Sequence, residues 1–179
     1  MVEIMKNKKD SQVESITNNH FKPLLEFDLD ASHIDSHWEY CTHIANFVAR
    51  MVSQNRTDPF MYSNLLSTSL NELLETVYRT DKEPGQLHFC ILRDGDTDRI
   101  ELSIPCPQKE QEFFTDLVDK VYAPDATDIY LGFLFAEGEL DRRIGIYELA
   151  LNYDAQIEVN LTNNKTVQLI VDVTLNETH

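Results

Sequence analysis

One long amphipathic stretch, from Thr57 to Asp81, most constrains what this chain can fold into. Asp58 is a suitable N-cap, and Pro59 suits the first helical position, where a missing N–H leaves no hydrogen bond unmade. The segment Lys82 to Gly85 contains the Pro and Gly that end a helix. Apolar residues recur at helical spacing between these signals, at Phe60, Leu66, Leu70, Leu73 and Val77. The pattern predicts a long helix that buries this face.

The length and composition are those of one globular domain. The chain has 179 residues, of which 42% are hydrophobic and 26% charged, values that favour neither disorder nor a membrane protein. No apolar run approaches the roughly 20 residues of a membrane span, and no secretory leader is recognisable at the start. We expect residues 1–20 to form a disordered tail, residues 21–179 to form a single domain, and the protein to be cytoplasmic.

The net charge of −16 is the most extreme property of the chain. Binding of a polyanion needs clustered Lys and Arg, so nucleic acid and acidic membrane surfaces are excluded as partners. The charge favours solubility, and it also suits attraction to a basic protein surface. Cys41, Cys90 and Cys106 lack paired spacing, and we expect buried thiols rather than disulfides.

The first half of the chain alternates predicted strands and helices. Leu24 to Asp30 alternates apolar and acidic residues and is predicted to be an edge strand. A helix is expected from Ser36, after a Ser or Asp cap. Its buried face is assigned to Trp38, Cys41, Ala45, Val48 and Val52. After the long helix, Gln86 to Leu92 and Arg99 to Ile104 are predicted to form a hairpin around Asp94-Gly95-Asp96.

The second half is predicted to add three helices and a closing hairpin. The helices are expected at Gln108 to Tyr122, Asp128 to Gly138 and Asp141 to Asn152. The closing strands are expected at Gln156 to Leu161 and Val167 to Leu175. This order predicts an α+β fold, a two-layer sandwich with helices packed on one face of a mixed or antiparallel sheet.

The segment Asn71 to Arg79 carries the first residues of a known motif. Glu72 is followed four residues later by Thr76, and then by Arg79. Together with the element order, this segment resembles the histidine-kinase-like ATPase superfamily, and within it the anti-sigma-factor type. In that family the Glu polarises a nucleophile and an Asn four residues later ligates Mg²⁺. Here Thr76 stands at the metal-ligand position, and a Thr hydroxyl is a poorer hard-oxygen donor with a shorter reach.

The two nucleotide loops of the family are degenerate in this chain. At the place of its Asp-x-Gly-x-Gly loop stands Ser103 to Gln108, which contains neither Asp nor Gly. At the place of its Gly-x-Gly phosphate loop stand Arg142, Arg143 and Gly145, and a single glycine cannot build the usual backbone cradle for phosphate. The two arginines either bind an anion in place of the glycines or are solvated cations. Tyr153-Asp154-Ala155 and two closing strands complete the resemblance.

The resemblance is closest to a cyanobacterial-type subgroup of degenerate anti-sigma-like regulators, usually encoded beside a STAS-domain protein. It implies a non-catalytic regulator of a bacterial partner-switching pathway that binds a STAS-domain or sigma-factor-related protein. Glu72, Thr76 and Arg79 are then vestigial, as are Arg142, Arg143 and Gly145, and no catalytic residue, metal or cofactor is expected.

Two other functions stay open from the sequence. The first alternative is an active Mg-ATP-dependent Ser/Thr protein kinase that uses Glu72, Thr76 and Arg143. The second is a structural subunit of a larger assembly, and pairing with a second copy as a homodimer also stays open.

Three further patterns have two interpretations each. His33 and His37 either share a metal ion or are solvated residues near a helix start. The run Asp94 to Asp98 resembles a calcium loop, but a hairpin turn explains it. The aromatic cluster Tyr130 to Phe135 belongs either to the core or to a partner surface, at the place where the nucleotide lid of the family lies.

Overall fold

The fold is an α+β two-layer sandwich built on a five-stranded antiparallel sheet, as predicted. The computed structural model describes residues 20–138, 140–163 and 165–175, so the predicted tail, except for His20, lies outside the described residues. The strands are β1 (Lys22–Asp30), β2 (Gln86–Asp94), β3 (Thr97–Pro105), β4 (Gln156–Asn163) and β5 (Thr166–Thr174). The helices are α1 (Ala31–Ser36), α2 (Glu39–Val52), α3 (Pro59–Tyr78), α4 (Gln108–Val121), α5 (Ala126–Leu134) and α6 (Ile144–Asn152).

The sheet has the strand order β1-β2-β3-β5-β4, with every neighbouring pair antiparallel. Strand β1 therefore lies at an edge, as predicted. In β3 and β5 alternate residues are buried, because successive side chains of a strand point to opposite faces. The buried face packs against the helices around one hydrophobic core. Cys41, Cys90 and Cys106 are free and buried, as expected.

Helix α3 crosses the core and begins as its sequence predicts. The Asp58 side chain accepts a hydrogen bond of 3.0 Å from the backbone N–H of Met61, and Pro59 is the first helical residue. Leu66, Leu70, Leu73 and Val77 are fully buried. The assignment of Phe60 to this face was wrong, since its side chain is 78% exposed. Four residues back from Leu66 the buried stripe reaches Tyr62, and Phe60 is turned away from that stripe.

The segment before α2 differs from the prediction. The Asp30 side chain accepts a hydrogen bond from the N–H of Ser32 and caps the short helix α1. His37 is extended and separates α1 from α2, so Trp38 becomes the N-cap of α2 without a capping side chain. Both the expected Ser or Asp cap of α2 and the burial of Trp38 were therefore wrong, and Trp38 is 54% exposed. The other four residues assigned to this helix face are buried.

The remaining elements follow the predicted order with shifted ends. Helix α5 begins two residues before the predicted Asp128 and ends at Leu134. Helix α6 begins at Ile144 rather than Asp141, because the Asp141 side chain binds the backbone N–H of Arg143 and holds the chain in a turn before the helix. This later start determines which groups lie at the N-terminus of α6.

Candidate functional site

Helices α3 and α6 bring together most of the residues that the sequence singled out. Glu72 and Thr76 lie on α3, and Arg79 is the C-cap of that helix. All three line one small cavity together with Arg142, which precedes α6, and Gly145 in the first turn of α6. Residues far apart in sequence therefore meet across this cavity. The chemistry of this cluster depends on how much space is left between the two helices.

The cavity is small because α6 lies directly on α3 at Gly145. A Cβ atom placed on Gly145 would lie 2.5 Å from the backbone oxygen of Glu72 and 2.7 Å from Oγ1 of Thr76. Thr76 is 2% exposed, and its hydroxyl donates a 3.1 Å hydrogen bond to the same Glu72 oxygen. The cavity holds only about 40 Å³. Small-molecule sites are typically roughly 300–1,000 Å³.

The N-terminus of α6 is occupied by a carboxylate of the chain itself. Asp141 accepts the backbone N–H of Arg143 at 2.9 Å and binds the Arg143 guanidinium through both oxygens, at 2.8 and 2.6 Å. The Arg143 side chain lowers the pKa of Asp141, aided by the hydrogen bond from its backbone. A helix N-terminus attracts anions. An incoming phosphate would therefore have to compete with this carboxylate and its bound arginine.

Arg142 is also engaged within the protein. Its Nη1 donates to Oε2 of Glu110 at 2.6 Å, and Glu110 is a buried residue of α4 with 1% exposure. The Arg142 guanidinium lies over the ring of Phe113, 3.6 Å from its centroid. Arg142 therefore binds an anion that the chain itself supplies, and it neutralises the buried Glu110 carboxylate.

The α3 side of the cluster is rich in negative charge. Burial raises the pKa of Glu72, and the nearby carboxylates of Glu75 and Glu148 raise it further. Arg79 donates from Nη1 to the backbone oxygen of Leu140 at 2.6 Å, so its charge is directed at the loop before α6. Grouped carboxylates repel a triphosphate, and the family positions of α3 therefore present an unfavourable surface to one.

Helix α5, at the place expected for a nucleotide lid, is docked on α6. The Tyr130 hydroxyl donates to the carboxylate of Glu148, and burial is the main cause that raises the pKa of Tyr130 to about 12. The rings of Phe133 and Tyr147 make an edge contact at 5.6 Å. The aromatic cluster is thus divided, since Tyr130 and Phe133 pack inward whereas Phe135 is 82% exposed.

A larger cleft lies beside this small cavity. Its volume is about 670 Å³, and Trp38, Tyr78 and Leu140 supply its apolar walls. Trp38 is 54% and Leu140 62% exposed. Arg79 and Arg142 line the same cleft. An exposed indole and leucine around paired charges are typical of a protein-binding surface, where aromatic and Arg side chains are enriched.

The other predicted positions lie outside this cluster. Ser103 belongs to β3, and Gln108 begins α4. His33 lies in α1, and His37 makes an edge contact with the ring of Tyr40. Across the residues that the structure describes, no three His, Cys, Asp or Glu side chains are grouped so as to hold a metal ion.

A buried charge network around Asp98 was missed from the sequence. Arg93 binds both carboxylate oxygens of Asp98, Arg56 binds one at 3.2 Å, and the Tyr62 hydroxyl donates to the other at 2.7 Å. Asp98 is fully buried and fastens the β2–β3 hairpin to the segment between α2 and α3. Asp98, the last residue of the Asp-rich run, therefore has a structural role. The sequence signal that could have identified Asp98 is its alternation with Ile100 and Leu102, which puts all three residues on the same face of β3.

A second missed residue is Lys82, whose side chain is fully buried. Its ammonium donates to the backbone oxygens of Val77, Tyr78 and Thr80 at the C-terminus of α3, and pairs with Asp35 at 2.6 Å. Lysine favours the negative end of a helix dipole and satisfies its terminal carbonyls. Lys82, which the sequence assigned to the segment that ends α3, therefore also caps the C-terminal carbonyls of that helix.

Neither a protein-family model nor a curated protein sequence matches the chain. Among the helices that the structure describes, none combines the length and the apolar character needed to cross a lipid bilayer. Function is therefore argued from the site itself.

Proposed function

We propose that this protein is a non-catalytic regulator that acts by binding a partner protein. The proposal keeps the histidine-kinase-like ATPase resemblance for the fold and treats its nucleotide site as degenerate. It assigns the chain to a bacterial partner-switching pathway in the cytoplasm, with a STAS-domain or sigma-factor-related protein as partner. Glu72, Thr76 and Gly145 are then structural residues of a helix contact.

The single observation that carries the proposal is the contact of Gly145 with α3. Nucleotide binding at the family position needs space between α3 and α6, yet the backbone of Gly145 lies against the Glu72 oxygen and the cavity holds only about 40 Å³, far below the roughly 300–1,000 Å³ of small-molecule sites. Mg²⁺ usually keeps several waters as well as phosphate oxygens, and these do not fit. The kinase alternative would require the two helices to separate.

Partner binding is supported by the cleft between Trp38 and Leu140. Exposed large apolar side chains around a cleft indicate a contact surface, and Arg79 and Arg142, which also line the cleft, supply polar groups. A net charge of −16 favours a partner with a basic surface around an apolar anchor. Such a regulator acts by occupying its partner, so its effect depends on affinity and concentration.

The nucleotide side of the proposal is tested by calorimetry. We expect Mg-ATP at millimolar concentration to release no binding heat and to leave the melting temperature of the full chain unchanged. Ligand bound at 100 times its Kd would stabilise the fold by about 2.7 kcal/mol, which a thermal shift detects easily. Micromolar binding of Mg-ATP that is lost in Glu72→Gln would overturn the proposal in favour of the kinase.

The partner side is tested with matched surface variants. Leu140→Asp and Trp38→Asp change exposed cleft residues, whereas Leu161→Asp changes a leucine of similar exposure, 57%, on strand β4. We expect the tagged wild type and Leu161→Asp to capture the same protein from extracts of the native cell, and both cleft variants to lose it with unchanged melting temperature. Capture that is equal in all four proteins would contradict the role of the cleft.

A further inference from the structure

Helix α2 carries an exposed apolar stripe away from the core. Tyr40 is 44%, Phe47 60% and Met51 55% exposed, and Ile44, partly buried, lies between them. With about 100° per residue these four side chains fall within an arc of about 60°. A contiguous stripe of large apolar side chains on a helix surface indicates a contact that excludes water.

The spacing of the stripe is symmetric. Its residues are separated by four, three and four positions, so the midpoint between Tyr40 and Met51 is also the midpoint between Ile44 and Phe47. A two-fold axis through this midpoint would place a second α2 antiparallel to the first. Tyr40 would then face Met51 of the second copy, and Ile44 would face its Phe47, as an isologous interface requires.

The charges along the stripe fit the same arrangement. Glu39 and Arg50 are the only Lys, Arg, Asp or Glu residues from Ser36 to Asn55, so this region is neutral in a chain of net charge −16. They lie about three turns apart on one flank of the stripe. In an antiparallel pair the same flanks of the two helices meet, which brings Glu39 near Arg50 of the other copy twice. A parallel pair would not bring these two residues together.

We propose that the α2 stripe is a self-complementary interface through which two copies of this chain form an antiparallel dimer. The inference is independent of the proposed function, since the dimer uses the stripe and the partner uses the cleft. Three half-exposed large side chains offer roughly 300 Å² per copy, which is below the roughly 800 Å² per partner of a standard interface. The dimer is therefore a weak one, with a Kd in the micromolar range.

Sedimentation of the full chain at concentrations from about 1 to 200 μM tests the interface across the micromolar range. We expect a monomer–dimer equilibrium in the wild type and a Kd raised at least tenfold by Phe47→Ser. Phe60→Ser is the matched control, because Phe60 is also exposed but lies on α3, and it should leave the Kd unchanged. A wild type that stays monomeric throughout, or a dimer lost in the control alone, overturns the proposal.

Charge exchange tests the antiparallel register. Glu39→Arg and Arg50→Glu should each weaken the dimer by bringing like charges together, and the double variant should restore it. Glu39 lies at the N-terminal end of α2 and Arg50 at its C-terminal end, so each charge also interacts favourably with the helix dipole. If the two charges act only within the helix, the double variant should be the least stable and should dimerise no better than the single variants. That second result would overturn the register.

Discussion

Replacing Gly145 by Ala would test the contact that closes the candidate site. The new Cβ would lie 2.5 Å from the Glu72 backbone oxygen, well inside the distance of about 3.5 Å at which nonbonded atoms attract. That oxygen belongs to the backbone of α3 and cannot rotate away, so α6 would have to move. The change therefore acts on the packing of two helices and leaves exposed surface and charge as they are.

The expected magnitude follows from two opposing terms. Forcing an extra carbon into a packed contact costs about 1–3 kcal/mol, while Gly→Ala in a helix gains up to about 1 kcal/mol. We expect Gly145→Ala to lower the free energy of unfolding by about 1–2 kcal/mol, or the melting temperature by roughly 2–8 °C for a chain of this size. Urea denaturation followed by circular dichroism measures the change directly.

Gly132→Ala is the matched control for Gly145→Ala. Gly132 lies in α5, and no other atom approaches within 4 Å of an added Cβ, so only the helix-propensity gain remains and the variant should be as stable as the wild type or more so. Thr76→Ala combined with Gly145→Ala should recover only part of the loss, since the Glu72 oxygen remains. If Gly145→Ala proves as stable as the control, α6 does not lie against α3 as described.

Three further outcomes follow from buried and clustered charges and from the core. Asp98→Ala removes the buried carboxylate that pairs with Arg93 and leaves Arg56 with the exposed Asp96 as its carboxylate partner, and it should cost about 3–5 kcal/mol in urea denaturation. Asp96→Ala, at a side chain that is 93% exposed, should cost less than about 1 kcal/mol. The raised pKa of Glu72 means that its protonated form favours folding, a contribution present below the ordinary pKa of 4.5 and lost as the pH rises through the higher folded-state value. Glu72→Gln should therefore raise the melting temperature at pH 7, with no difference from the wild type well below pH 4.5. Leu73→Asp would bury an unpaired charge at a fully buried position, and should abolish the cooperative thermal transition seen by circular dichroism.

Local sequence signals were sufficient for the fold class and for most of the elements, although not for the short helix α1. The helix start at Asp58 and Pro59 depends on contacts within one turn, and the strands β3 and β5 depend on alternation within a few residues. These signals are independent of the rest of the chain, and the structure confirmed them. Where they failed, at Trp38 and Phe60, a residue at a helix end follows the periodic pattern only loosely, because the path of the chain into the helix decides where its side chain points.

The state of the candidate site could not be predicted in the same way. The sequence indicated that Glu72, Thr76 and Gly145 would be neighbours, but the distance between their helices depends on packing across the whole layer. The same holds for Arg142, whose partner Glu110 lies on another helix, and for Asp98, whose arginines come from two separate segments. The amino-acid sequence by itself determined most of the elements, their order and the absence of a Gly-x-Gly segment. Only the tertiary structure decided that the space between α3 and α6 is closed, because helix separation is a property of the whole core and of no single segment.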